Sequence, residues 1–240
     1  MRRVRPLKAL LAVVAVLAAA GFAPGRALAC GSGGYTYAGV AAPSRAFGIA
    51  ATVTPLGGFD LVSGHIAGWV GVGGPGMGPA GTDEWLQVGF SRFPDLRGNA
   101  LYYELTLPSG KPTYHQIAQG LPFGRPARVA VLEMRGRPNV WQVWLDRKPV
   151  SGPIYMPGSH ARWAPIATAE AWTGAGTCNS FLYRFEQVSV ATSPGGGWLP
   201  LAGGFPITSS TTRIQRRADG PAFLAGEGPA ALRTLASLGP

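Results

Sequence analysis

The chain has 240 residues, with 36 Gly and 22 Pro but only 13% charged residues, so long helices are not expected and many short strands joined by tight turns are. Its net charge of +10 is misleading, because five of the 21 basic residues fall in the first 29 positions and leave 16 against 11 acids. That remaining +5 is spread along the chain with no basic run interleaved with aromatics, so a nucleic-acid partner is not expected.

In chain order, residues 1–29 read as a secretory signal peptide. Arg2, Arg3, Arg5 and Lys8 precede an apolar run from Ala9 to Ala20, and Ala27-Leu28-Ala29 offers a small-residue cleavage site. The apolar run is short for a membrane span and no second stretch is long enough, so the mature protein is expected to be secreted, with no integral membrane segment. Arg2-Arg3 also fits a twin-arginine signal, although adjacent arginines are ordinary in such leaders. Export makes a disulfide between the only two cysteines, Cys30 and Cys178, the default. The competing reading is a lipidated Cys30 that anchors the protein at the cell surface, but a lipobox carries a large aliphatic residue where this chain has Ala27.

Residues 30–192 are the size of one large β-sandwich. The Gly- and Ser-rich start, from Gly31 to Phe47, reads as a surface loop. Strand-like runs then recur at Gly48 to Thr54, His65 to Val72, Glu84 to Ser91, Leu101 to Leu107, Thr113 to Ala118, Arg128 to Met134, Val140 to Asp146, Ile166 to Trp172 and Phe181 to Ala191. Turn-like separators such as Gly73-Gly74-Pro75-Gly76 and Gly136-Arg137-Pro138-Asn139 lie between them. The expected fold class is all-β, an antiparallel jelly-roll sandwich. From Ser193, the run Pro194-Gly195-Gly196-Gly197 breaks the pattern, and residues 193–240 read as a mobile Gly/Pro/Ala-rich tail with a helical turn or two within Ala230 to Leu238.

Two strands carry the best clue to chemistry, an amide at Gln87 and a carboxylate at Glu170. The period of two puts Leu86, Val88 and Phe90 on one face and Trp85, Gln87 and Gly89 on the other. Around Glu170 it separates Ala167, Ala169 and Ala171 from Thr168, Glu170 and Trp172. Each polar group thus sits beside a tryptophan on the face turned away from the core. Alternation alone commonly means solvent-facing polar residues, and on residue pattern that reading leads. In the same registers Trp69, Trp85, Trp172 and Trp144 share the polar face, and Tyr102 and Glu104 alternate with Leu101, Tyr103 and Leu105, so they too can line a groove. His65, His115 and His160 lie in separate segments without metal-ligand spacing, and no Gly-x-Ser-x-Gly elbow occurs, so no metal and no cofactor are expected. The glycines from Gly71 to Gly81 join two strands without the Lys-Ser/Thr or helix of a phosphate cradle, and read as a hairpin or flap.

The ordered set Gly68-Trp69-Val70-Gly71-Val72-Gly73, Trp85-Leu86-Gln87-Val88-Gly89, Tyr102-Tyr103-Glu104 and Ala169-Glu170 resembles the glutamic peptidases called eqolisins, from about Ala50 to Ala191. The resemblance implies a concanavalin-like jelly roll and an endopeptidase acting as a monomer on a polypeptide held in an extended conformation. It implies Glu170 as general base toward water and Gln87 as donor to the oxyanion, with Trp69, Trp85, Tyr102, Glu104 and Trp172 lining the substrate groove. The chain departs from the family where Gly73 and Ser91 replace acids and where Ala171-Trp172 follows Glu170. Fewer acids near the two central groups imply activity closer to neutral pH than the family's strongly acidic habit. Two rivals stand beside this reading. One is a glycoside hydrolase with Glu104 and Glu170 as paired carboxylates over an aromatic platform; the other is a non-catalytic sandwich that binds a glycan or peptide.

Overall fold

Strand alternation drives the chain into two stacked antiparallel sheets that bury one face of each against the other. A computed structural model describes residues 34–57, 60–108, 110–173, 179–217 and 220–237. The signal segment and both cysteines, Cys30 and Cys178, lie outside the described residues.

The strands run β1 (Gly34–Ala41), β2 (Gly48–Pro55), β3 (His65–Gly74), β4 (Glu84–Arg92), β5 (Asn99–Thr106), β6 (Thr113–Leu121), β7 (Ala127–Glu133) and β8 (Val140–Leu145). Then follow β9 (Lys148–Pro149), β10 (Ile154–Tyr155), β11 (Ile166–Thr173), β12 (Phe181–Ser193), β13 (Gly196–Pro200), β14 (Phe205–Thr208), β15 (Thr212–Arg216), β16 (Phe223–Glu227) and a closing helix α1 (Pro229–Ser237). One sheet has seven strands in the order β14-β1-β11-β3-β4-β5-β6. The other has nine, ordered β10-β8-β7-β2-β12-β16-β15, with β13 paired to β12 and β9 to β8. All nine strand runs expected from the sequence are present, and the fold is a jelly-roll sandwich.

The core between the sheets is built from the apolar parity of each strand. Val70, Val72, Leu86, Val88, Phe90, Ala169 and Ala171 face Ile49, Val53, Val129, Val131, Trp141, Phe181 and Phe185. Removing that apolar surface from water stabilises the sandwich, and it commits the opposite parity of β11, β3, β4 and β5 to the outer face of the seven-stranded sheet.

Three expectations are corrected. The segment read as a surface loop from Gly31 to Phe47 contains β1, whose Tyr35 and Tyr37 alternate with buried Thr36, Ala38 and Val40 and which pairs with both β11 and β14. Residues 193–237 are not a tail outside the sandwich, so the boundary expected at residue 192 is not where the sandwich ends. There β14 extends the seven-stranded sheet and β16 pairs with β12, while Leu182 and Leu224 pack on Ala231 and Leu235 of α1. The buried Glu227 carboxylate ties β16 back to β1, accepting from the hydroxyls of Thr36 (2.5 Å) and Thr211 (2.6 Å). Trp144 is the third correction: it lies on β8 in the nine-stranded sheet, opposite Ala130, and does not share a face with Gln87.

Candidate active site

Register places the sequence's candidate residues on one face of the seven-stranded sheet, in rows that cross the strands. Directly paired residues of an antiparallel ladder point to the same side. One row runs Tyr37, Glu170, Ala67, Ser91 and Ala100 across β1, β11, β3, β4 and β5. The next runs Gly39, Thr168, Trp69, Gly89 and Tyr102, and the third runs Ile166, Gly71, Gln87, Glu104 and Tyr114. Glu170 and Gln87 therefore stand diagonally across β3, on either side of a row floored by Trp69 and Gly89. The two groups have different side-chain partners.

Each is held by its own partner. Gln87, 8% exposed, donates from Nε2 to the Tyr102 hydroxyl at 3.0 Å. A primary amide has two N–H groups, so Tyr102 takes one and a second remains. Tyr102 is buried, stacks on Tyr114 with centroids 5.0 Å apart, and packs with Trp69, Ala67 and Ile166 into a small apolar cluster under the groove. Burial, reinforced by the charges of Glu170 and Glu104, pushes its hydroxyl well above the ordinary tyrosine range, so it remains a neutral group. Glu170, 6% exposed, has its Oε1 3.5 Å from His65 Nε2.

Glu104 faces the same groove from β5 and accepts from the Trp85 indole at 3.0 Å. Burial raises its carboxyl above the usual range, the indole hydrogen bond opposes this, and the Glu170 charge adds to it. The rim carries Tyr35, whose hydroxyl is pushed up to about 12 by burial first and by Glu170 and Glu104 next, and Trp172, which is 38% exposed. Tyr37, in register with Glu170, is raised for the same reasons. Trp69 is buried as the groove floor, and its indole nitrogen has no hydrogen-bond partner among the described residues.

The sequence reading missed His65, Tyr35 and Tyr114. His65 carries the same parity on β3 as Ala67 and Trp69, a signal that was available, but it had no metal-ligand spacing to draw attention to it. Tyr114 holds the hydroxyl of Ser91 at 2.9 Å, at a position where the eqolisin pattern has an acid. Gly73 replaces the other acid for a backbone reason: its φ is +80°, and a Cβ added there would lie 2.1 Å from the Glu84 carbonyl oxygen. An aspartate cannot adopt this turn without moving it.

Neither a family model nor a curated protein sequence matches the chain. Among solved structures it is similar to SCP-B, an eqolisin-family peptidase in complex with the tripeptide Ala-Ile-His, at a TM-score of 0.54 and 15% identity over 82% of this chain and all of that one. A tetrameric galectin from the ball sponge Cinachyrella sp. is also similar, at a TM-score of 0.33 and 17% identity over 65% of this chain and 99% of that one. At such identities the first likeness speaks for the fold: over about four fifths of its length this chain has the jelly-roll sandwich of an eqolisin peptidase.

Proposed function

We propose that the protein is a secreted glutamic-type endopeptidase in which Glu170 is the general base and Gln87 the oxyanion donor. The observation that carries this reading is that one amide and one carboxylate share a face of the sheet, on either side of the row that holds Trp69 and Gly89, with Gln87 held by Tyr102 and a second N–H left over. A peptide carbonyl lying over that row meets both groups. Glu170 takes a proton from a water as its oxygen bonds to the carbonyl carbon, and Gln87 donates to the oxygen on which charge develops. The C–N bond then breaks as the proton held by Glu170 passes to the leaving nitrogen. The site uses no metal or cofactor in this scheme, and the extended substrate lies along the row of aromatic side chains. Among the described residues no helix is long and apolar enough to cross a membrane.

The test is hydrolysis of a denatured protein by the purified mature protein between about pH 2 and pH 7, beside Glu170→Gln and Gln87→Ala. Chelators and serine- or cysteine-directed inhibitors should leave cleavage intact, and abolition by EDTA would count against the mechanism. The glycoside hydrolase rival is tested in parallel: it requires polysaccharide cleavage that Glu104→Gln removes, and the peptidase reading requires none.

A further inference from the structure

Beside Glu170 lies an imidazole for which this catalytic scheme has no use. His65 opens β3 two residues before Ala67, the register partner of Glu170, and its Nε2 stands 3.5 Å from Glu170 Oε1. Three rings hold it in place. Trp172 stacks on it at 6.2 Å and 22°, Tyr35 meets it edge-on at 6.0 Å, and Phe93 leans against it at 5.6 Å. Such a cage fixes the plane of a ring that would otherwise hop between rotamers, and so keeps the nitrogen beside the carboxylate. The side chains are 21% and 7% exposed, so the pair meets the groove more than bulk solvent.

We propose that His65 is a positioning residue for Glu170, its Nε2–H held toward one carboxylate oxygen so that the other is turned to the attacking water. The proposal rests on the peptidase reading. In the step itself the water O–H bond breaks as oxygen bonds to the carbonyl carbon, and the proton goes to the outer oxygen of Glu170. When the C–N bond breaks that proton passes to the leaving nitrogen, and His65 keeps its own proton throughout. An N–H bond to a charged acceptor that fixes a base acts on the chemical step and not on substrate binding.

His65→Phe keeps a ring in the aromatic cage and removes the N–H, whereas His65→Gln restores a donor. The expected result is a kcat lower by roughly ten- to a hundredfold for the Phe variant, in line with losing a hydrogen bond to a charged group, with KM little changed and much of the loss recovered by Gln. A Phe variant with unchanged kcat, an equal loss in both variants, or a loss confined to KM overturns the proposal. Imidazole 15N spectra decide the contact without turnover: Glu170→Gln should move the His65 Nε2 resonance and leave those of His115 and His160 in place. An unmoved resonance overturns the contact. Should the wild-type protein cleave nothing, the peptidase reading fails on that result alone, and the spectra still decide whether His65 holds Glu170.

Discussion

Glu84 offers a test of the fold's electrostatics that is independent of any activity. It begins β4 with the parity of Leu86 and Val88, so its side chain points into the core, where it is fully buried and neither carboxylate oxygen has a hydrogen-bond partner among the described residues. Burial pushes its carboxyl from the usual 4.5 up to about 7, with the Arg162 guanidinium pulling the other way. An acid whose folded value is raised contributes its full stability below the unfolded value and loses it as pH rises through the folded one. The window here therefore runs from about 4.5 to about 7 and slightly beyond. A shift of that size is at most about 3 kcal/mol between pH 4 and pH 8. Glu84→Gln removes the ionisation with almost no change of volume. Denaturant unfolding followed by tryptophan fluorescence should show the two proteins close at pH 4 and the variant ahead by up to about 3 kcal/mol at pH 8, or about 6–12 °C in Tm for a domain of this size. Parallel stability profiles across that range would refute the reasoning, because they would mean that Glu84 ionises at no cost.

Tyr102→Phe frees Gln87 from its hydrogen bond, and kcat for peptide hydrolysis should fall about five- to tenfold at near-constant KM, the scale of one net hydrogen bond; an unchanged kcat would show that Gln87 needs no orienting partner. Gly73→Ala forces a Cβ onto the Glu84 carbonyl in a left-handed turn and should cost about 1–3 kcal/mol in urea unfolding, with an unshifted midpoint as the contrary result. Truncation after Ser193 strips β14 from β1 and β16 from β12, and should yield insoluble or unfolded protein. A soluble, cooperatively folding fragment would restore the view of residues 193–240 as a dispensable tail.

What the sequence made legible was whatever its period of two encodes locally. The sides of Gln87 and Glu170 could be read from Leu86, Val88 and Ala169 because those neighbours must be buried. Which sheet a strand joins is a non-local matter, so Trp144 was assigned to the groove by a valid alternation in the wrong sheet. β1 was hidden because its small residues read as loop, and its identity depends on pairing with β11 more than a hundred residues later. The glycines at 195–197 looked like a break in structure. In fact Pro194 and Gly195, the latter at φ +81°, form the two-residue turn that brings β13 back onto β12 at the Ser193–Gly196 pair. The partner of Glu170 was likewise invisible, since His65 and Glu170 meet only once β3 and β11 are neighbours.

The most direct test of the central claim is the rate at which purified Glu170→Gln and Gln87→Ala proteins, shown by circular dichroism to be folded, cleave a denatured protein substrate beside the wild type. The wild type should cleave in the presence of EDTA, Glu170→Gln should be inactive, and Gln87→Ala should lose on the order of 10²–10³ in kcat. A Glu170→Gln protein that cleaves at the wild-type rate would contradict this mechanism.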